Sequence, residues 1–386
     1  MRICLVYDCL FPHTVGGAER WLRSLSERLA ADGHDVTYVT LRQWPRGTDP
    51  GVPGVKVIAV GPEMRLYTDG GRRRILPPLV FGLGVLVHLL RHGRGYDAVH
   101  TGAFPYFSLL AAAAARRLGG FRVVVDWYEV WTRAYWNEYL GRVRGFVGWA
   151  VQRFCMRIPQ RAFCLSQLHA RRLREEGYRG EVQVVGGIYA GPAEPEPGAV
   201  ADARPTVVFA GRHIPEKRVP ALIPAVALAR ERLPELHCQV FGDGPERPKV
   251  LRLVADLGLN GAVDAPGFVE TGEVDEALGS AMCLVLPSRR EGYGLVVVEA
   301  AAKGTPSVVV ADPDNAATEL VDEGVNGFVS ASASPQDLAE AIVRVHDAGR
   351  SMRESTTAWF AQNAERLSLA HTLDAVAAAY AASTRS

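Results

Sequence analysis

The stretch SRREGYGLVVVEA, residues 288–300, decides how the rest of the chain is read. Upstream is a short apolar run, MCLVLP (282–287), with strand character. Downstream, LVVVEAAAKG (295–304) reads as a helix closed by Gly304. Strand, glycine loop and helix in that order aim the unpaired N–H groups of a helix start past the strand end, where they favour an anion. Gly292 and Gly294 lie in the loop, and Gly294 carries no side chain to block the approach. Glu291 sits in the loop and Glu299 in the second helical turn. A carboxylate at either place accepts hydrogen bonds from a pair of sugar hydroxyls. Phosphate donors flanked by two diol acceptors suit a nucleotide sugar. Two glutamates eight apart also arise by chance on a capped surface helix; the glycines and the strand–loop–helix setting favour the site.

A chain of 386 residues is long enough for two domains, each with its own core. Hydrophobic residues at 48% and charged residues at 22% are those of an ordinary globular protein. The six cysteines (4, 9, 155, 164, 238, 283) form no C-x-x-C pair, which predicts buried thiols in a reducing compartment and a cytoplasmic protein. The opening MRICLVYDCL reads as a first strand, not a signal peptide. The apolar run 75–90, broken by Pro77, Pro78, Gly82 and Gly84, is too short to cross a bilayer and predicts a buried helix.

The net charge of +1 hides an asymmetry. Residues 1–190 hold 26 Lys+Arg against 15 Asp+Glu, and residues 191–386 hold 17 against 27. Such a split steers one half onto an acidic ligand or anionic surface, or helps the halves close on each other. The aromatic–basic alternation of a nucleic-acid module is missing, which argues against nucleic acid.

In the first half, ICLVYDC (3–9) is a strand, and Trp21, Leu22, Leu25 and Leu29 fall at helical spacing before the strand HDVTYVT. Gly16 and Gly17 at the helix start either admit a phosphate or make a tight turn with positive φ. Further strands end at His100 and at Asp126–Trp127–Tyr128. Parallel sheets carry function at such ends, so His100, Asp126 and Tyr128 are candidates, although a lone histidine is also a common structural residue. WYEVWTRAYWNEY (127–139) holds six aromatics, which build a local core or offer flat faces to a ligand. The neighbouring Asp126, Glu129, Arg133 and Glu138 favour acceptor contact. Residues 142–161 contain five arginines and no acid, among Phe146, Trp149, Val151 and Phe154. That pattern fits a helix on an anionic membrane at the inner face, or a solvated helix face.

A Pro-, Ala- and Gly-rich stretch, 188–205, reads as a linker. From 206 onward strands and helices alternate again, including a helix at ATELVDEG, which predicts a second parallel α/β domain. GRHIPEKR (211–218) follows a strand, so Arg212 and Lys217 stand at its carboxyl end. Arginine as a fork and lysine as a point charge neutralise a diphosphate; an ordinary charged turn is the other reading. With 39 arginines and 4 lysines in the chain, a lysine here is notable. The triplet Asp312-Pro313-Asp314 is too thin a ligand set for a metal.

Taken together these residues resemble the retaining glycosyltransferases of family 4. Gly16-Gly17-Ala18-Glu19 with Gly33-His34-Asp35-Val36 is similar to the family's opening signature. Gly211-Arg212 with Lys217 is similar to its diphosphate clamp, and Phe241-Gly242-Asp243-Gly244-Pro245 and Gly267-Phe268-Val269 to its nucleotide-side loops. Glu291 to Glu299 is similar to its E-x7-E motif. The resemblance implies the GT-B fold: two Rossmann-like, doubly wound parallel-sheet α/β domains facing across a cleft. The acceptor domain would span 1–187, the linker 188–205 and the donor domain 206–365, with a helix in 366–386 crossing back. It implies that Arg212 and Lys217 hold the diphosphate, helped by the backbone at Gly294 and Leu295, with Gly17 approaching from the other domain. Glu299 would bind the ribose, Glu291 the transferred sugar, and the backbone at Phe268 and Val269 the base. No metal or other cofactor is implied, because cations and helix dipoles stabilise the leaving group. The family's usual active-site histidine is replaced by the run Asp126-Trp127-Tyr128-Glu129, leaving Asp126 or Tyr128 to stand in for it. Asp314-Asn315-Ala316-Ala317 stands where a Gly-Gly pair is common.

The expected activity is transfer of a sugar from a UDP- or GDP-sugar to a hydroxyl of a sugar, glycolipid or small molecule, with anomeric retention. The expected acceptor contacts are His100, Asp126, Trp127 and Glu129. A nucleotide-sugar epimerase on the same fold and a non-catalytic nucleotide-sugar binder are the alternatives.

Overall fold

The computed structural model describes residues 1–14, 16–66, 74–198 and 204–382. They fall into two compact units. One runs from Met1 to Gly186 and takes back the chain from Leu373; the other is Gly187–Thr372.

The first unit follows the order β1 (Arg2–Val6), α1 (Gly17–Ala31), β2 (Asp35–Thr40), β3 (Lys56–Ala59), α2 (Leu76–His92), β4 (Ala98–Gly102) and α3 (Phe107–Gly119). It continues with β5 (Arg122–Asp126), α4 (Arg133–Leu140), α5 (Arg142–Met156), β6 (Arg161–Cys164), α6 (Gln167–Glu175) and β7 (Val182–Val184). The seven strands pair in parallel in the order β3-β2-β1-β4-β5-β6-β7. The chain winds outward from β1 in one direction and from β4 in the other. Right-handed crossovers therefore put α1 on one face of the sheet and α2, α3 and α5 on the other. The core agrees: Phe81 and Val85 of α2, Leu109 and Ala112 of α3 and Cys155 of α5 share one apolar cluster, to which α1 contributes nothing.

Two expectations are corrected here. β4 runs on to Gly102, so His100 lies inside the strand rather than at its end. Helix α2 is only half buried. Phe81, Val85 and Leu89 enter the core, while Leu76, Leu79, Leu83 and Leu90 stay exposed. The reason is geometric: a helix laid on a sheet can bury one face only, and the uninterrupted apolar run hides which face that is. By length and composition Leu76–Gly95 matches a membrane span, yet its inner face is committed to the core.

The second unit contains β8 (Thr206–Ala210), α7 (Leu222–Arg232), β9 (His237–Phe241), α8 (Arg247–Asp256), β10 (Val263–Gly267), α9 (Thr271–Ser280) and β11 (Cys283–Leu286). There follow β12 (Arg290–Glu291), α10 (Leu295–Ala302), β13 (Ser307–Val310), β14 (Asp314–Asn315), β15 (Gly327–Ser330) and α11 (Pro335–Leu367). Its main sheet is parallel in the order β10-β9-β8-β11-β13-β15, and β12 with β14 forms a small parallel pair. The expected helix at ATELVDEG is a single 3-10 turn, Ala316–Leu320, capped by the Asn315 side chain. The chain then turns into β15, a four-residue strand with too little pattern to read from sequence. The last helix, α12 (Leu369–Ala382), starts in the second unit and joins the first from Leu373. Residues 199–203 of the expected linker lie outside the described residues.

Candidate active site

Three loops converge at the carboxyl ends of β8, β11 and β13. The segment after β8 makes a 3-10 turn, Pro215–Lys217, and lays Lys217 against the segment after β11. There Lys217 Nζ pairs with Glu291 Oε1, which also accepts a 2.7 Å hydrogen bond from Ser288 Oγ. Glu291 is 7% exposed and ionic pairing offsets its desolvation. Main-chain Arg289 N donates to Glu216 O at 2.8 Å, and Arg218 pairs with Asp312 at 3.3 Å. Buried Asn315 closes the arrangement. Its side chain donates to the carbonyls of Ser288 and Val310 and accepts from Ala317 N. Asp312 is thus engaged with an arginine.

Gly294 caps the start of α10 with φ +100°, and a Cβ there would lie 2.6 Å from the Ala317 Cβ. Only glycine takes that conformation without strain in that space. The main-chain N–H groups of Gly294 and Leu295 have no backbone acceptor among the described residues and remain available to an anion. Glu299 follows one turn into α10, half-buried. Arg212 is exposed, and its guanidinium has no ion-pair partner among the described residues. Gly242, at the end of β9, presses its backbone onto Gly211: a Cβ there would come within 2.0 Å of the Gly211 carbonyl oxygen. Phe268, just beyond β10, is 78% exposed, and Val269 beside it is half-buried. The structure therefore brings Lys217 together with Glu291, the two residues expected to serve different parts of one ligand.

The first unit places its candidates differently. Asp126 ends β5 with its carboxylate 3% exposed. Its Oδ2 accepts from Trp21 Nε1 at 2.8 Å and from the Tyr128 hydroxyl at 3.1 Å. His100 Nε2 lies 2.9 Å from Asp126 Oδ1, an ion-pair distance without hydrogen-bond alignment, and His100 Nδ1 is 2.8 Å from the Tyr380 hydroxyl of α12. Burial, then the Asp126 charge, pushes the Tyr128 pKa well above its ordinary value, so its hydroxyl stays a donor. Trp127 is fully buried and donates to Gln160 at 3.0 Å. Expected to meet an acceptor, His100, Asp126 and Trp127 are instead buried, with His100 Nδ1, Asp126 Oδ2 and Trp127 Nε1 partnered inside the unit. Tyr128 and Glu129 stay half-buried, Glu129 holding Trp131 Nε1 at 2.8 Å.

The aromatic stretch is likewise chiefly a local core, which corrects the expectation of an acceptor face. Tyr135 and Trp136 are buried, and the rings gather round fully buried Gln152, whose Oε1 accepts from Tyr106, Trp131 and Trp136. Gly16 has φ −172°, an extended conformation, so the tight-turn reading of the glycine pair falls. Gly17 opens α1, and a Cβ there would meet nothing within 4 Å.

Ser288 and Asn315 were not singled out in the sequence. Both are buried and hold the Glu291 loop, acting as positioning residues. The available signal was weak: a small polar residue after an apolar strand, and an asparagine able to cap a turn. His213 is fully buried with neither ring nitrogen in a hydrogen bond. Burial, the largest cause, pushes its pKa down, and the Asp243 charge pulls the other way.

Two parallel α/β units, the second carrying a cation pair and a glycine-led helix start at its strand ends, define the GT-B class of glycosyltransferase fold. Residues 16–187 match the family described as "Glycosyl transferase 4-like domain", and residues 192–361 that described as "Glycosyl transferases group 1". The MMP alpha-(1->4)-mannosyltransferase of Mycolicibacterium hassiacum is 30% identical over 397 residues, covering 92% of this chain and 91% of that one. The alpha-D-kanosaminyltransferase of Streptomyces kanamyceticus is 32% identical over 146 residues, and that match spans 38% of this chain and 37% of the relative. Among solved structures, sucrose-phosphate synthase from Thermosynechococcus elongatus superposes with a TM-score of 0.79 at 20% identity over 100% of both chains. HepE of Anabaena, in complex with UDP-glucose, gives 0.74 at 18% identity over 99% of this chain and 100% of that one. The chain belongs to the family 4 glycosyltransferases.

Proposed function

We propose that this chain moves a sugar from a nucleoside-diphosphate sugar to an acceptor hydroxyl with retention of anomeric configuration. The observation that carries the reading is the junction of Lys217, Glu291 and the Gly294 start of α10. Arg212 and Lys217, with the N–H groups of Gly294 and Leu295, would hold the diphosphate, while Glu299 takes the ribose and Glu291 the transferred sugar. The base would rest against the backbone at Phe268 and Val269. As the glycosidic bond to the diphosphate breaks, the electron pair moves onto the leaving oxygen, and these cations and dipoles stabilise the charge. That same oxygen then takes the proton of the acceptor hydroxyl as it attacks from the same face.

This route needs no metal, so turnover is expected to persist in EDTA. Buried free cysteines support a reducing, cytoplasmic setting. HepE carries UDP-glucose, which makes UDP-sugars the first donors to test, with GDP-sugars beside them. The test is a thermal-shift panel of nucleotide sugars, followed by NMR of the product anomer. A binding donor raises the melting temperature by mass action. Sugar exchange without an acceptor would point to an epimerase, and donor binding with neither transfer nor hydrolysis to a binding protein. An inverted product would remove the retaining reading.

A further inference from the structure

The outer sides of α2, α3 and α5 carry apolar side chains and arginines; the three helices contain no acid, and Glu176, just past α6, meets them by accepting from Trp149 Nε1 at 2.9 Å. On α2, Leu76, Leu79, Leu83, Val87 and Leu90 are exposed, and their three- and four-residue spacing places them on one side of the helix. The strip is about 21 Å long at the helical rise of ~1.5 Å per residue. On α5, Val143, Phe146, Val147 and Phe154 are exposed at the same kind of spacing. Arg133 stacks its guanidinium over Phe146 and Trp149, 5.3 and 5.2 Å from the ring centroids. Both helices pack their inner sides into the same cluster on one face of the sheet, so both strips point away from that face.

The charge is sided in the same way. α2, α3 and α5 contain no Asp or Glu, yet carry Arg91, Arg116, Arg117, Arg142, Arg144 and Arg153. Arg94, just past α2, is exposed beside Leu118, to whose carbonyl it donates at 3.3 Å. On the opposite face α1 sets Glu19 and Glu27 among Arg20, Arg23 and Arg28, and Arg23 pairs with Glu27 and Arg28 with Asp32. Six arginines of the first half are therefore gathered on the apolar side, in helices that contain no acid, whereas those of α1 stand among carboxylates.

We infer that this layer is a docking surface for an anionic lipid bilayer. The α2 strip would enter the headgroup–acyl boundary, and the arginines of α2, α3 and α5 would meet lipid phosphates. Its length and composition match a span, but its inner face is held by the core, so the helix lies in the interface instead of crossing it. Charge decides against a second copy as occupant. A two-fold interface over this surface would set arginines against arginines with no carboxylate in the three helices to pair them. Anionic headgroups complement both features.

The test is flotation of the full chain with vesicles of pure phosphatidylcholine and of phosphatidylcholine with about 30 mol% phosphatidylglycerol. Binding is expected to the anionic vesicles only and to weaken in high salt. Leu79→Gln with Leu83→Gln should lower partitioning at least about tenfold. Its donor-induced thermal shift should be unchanged, which keeps this outcome separate from that of the proposed reaction. All six native cysteines are buried, so Leu83→Cys can be labelled selectively with an environment-sensitive dye. A blue shift on anionic vesicles is expected even if the glutamine variant folds poorly. No vesicle binding, equal binding by the variant, or a dimer in light scattering that the double substitution abolishes would each overturn the proposal.

Discussion

Glu291 and Lys217 neutralise each other before any ligand arrives, and this sets what their substitution does. Lys217→Ala leaves a buried carboxylate with Ser288 alone, so the free protein should lose roughly 2–4 kcal/mol in urea titration. Glu291→Gln in the same chain should restore part of that. Arg212→Ala removes an exposed guanidinium, so it should leave free-state stability within about 0.5 kcal/mol while abolishing most of the donor thermal shift. Retention of that shift by both Lys217→Ala and Arg212→Ala would sink the clamp. Gly294→Ala asks alanine to adopt φ +100° against the Ala317 methyl, and roughly 2–4 kcal/mol of stability should go with it, read by the same titration. His213→Leu should instead raise the melting transition, by about 1 kcal/mol, because it replaces a buried ring with unpaired nitrogens. At this scale the sequence was readable where residue type is dictated locally. A glycine before an apolar run marked the start of α10, and Lys217 after a strand fell in the loop that meets Glu291. It was silent where partners come from afar: Asn315 reaches Ser288 across 27 positions, and His100 meets Tyr380 across 280.

Helix α2 shows what periodicity alone conceals. A continuous apolar run reads as wholly buried, and only the packing of Phe81, Val85 and Leu89 shows which side is covered. The same helix carries a titratable group of consequence. His88 is buried, 2.9 Å from the Tyr96 hydroxyl, and desolvation, with His92 beside it, pushes its pKa down to about 4. The folded protein therefore keeps His88 neutral while the unfolded chain takes up a proton below about pH 6.5. The stability it contributes is full above that pH and is lost as pH falls towards 4, by up to about 3 kcal/mol. Denaturant titrations at pH 7 and pH 5 should show the loss, and His88→Gln should flatten it. The alternation of strands and helices was legible for most elements, because each apolar run is bounded by glycine or a charged turn. In the second unit β12, β14 and β15 escaped because they have two, two and four residues, the 3-10 turn before β15 owes its shape to the Asn315 cap, and the long helix α11 was not read either.

On the scale of the whole chain, each half has its own parallel sheet, and the division into two α/β domains was evident from the restart of strand-like runs after residue 205. The identity of the groups that α12 covers was not, because nothing local links Tyr380 to the β4 and β5 strands. Removing residues 373–386 should raise hydrogen exchange in β4 and β5 while leaving the second unit's strands protected. Tyr380→Phe should reproduce a small part of this, about 1 kcal/mol, by deleting one hydrogen bond. A sequel concerns synthesis. The ribosome makes the seven-stranded sheet before the second unit, yet the tyrosine that closes over its buried histidine emerges only after that unit. The half that is begun earliest is thus completed last, after its neighbour has been translated in full, and a nascent chain stalled anywhere before Tyr380 must carry an unfinished first lobe.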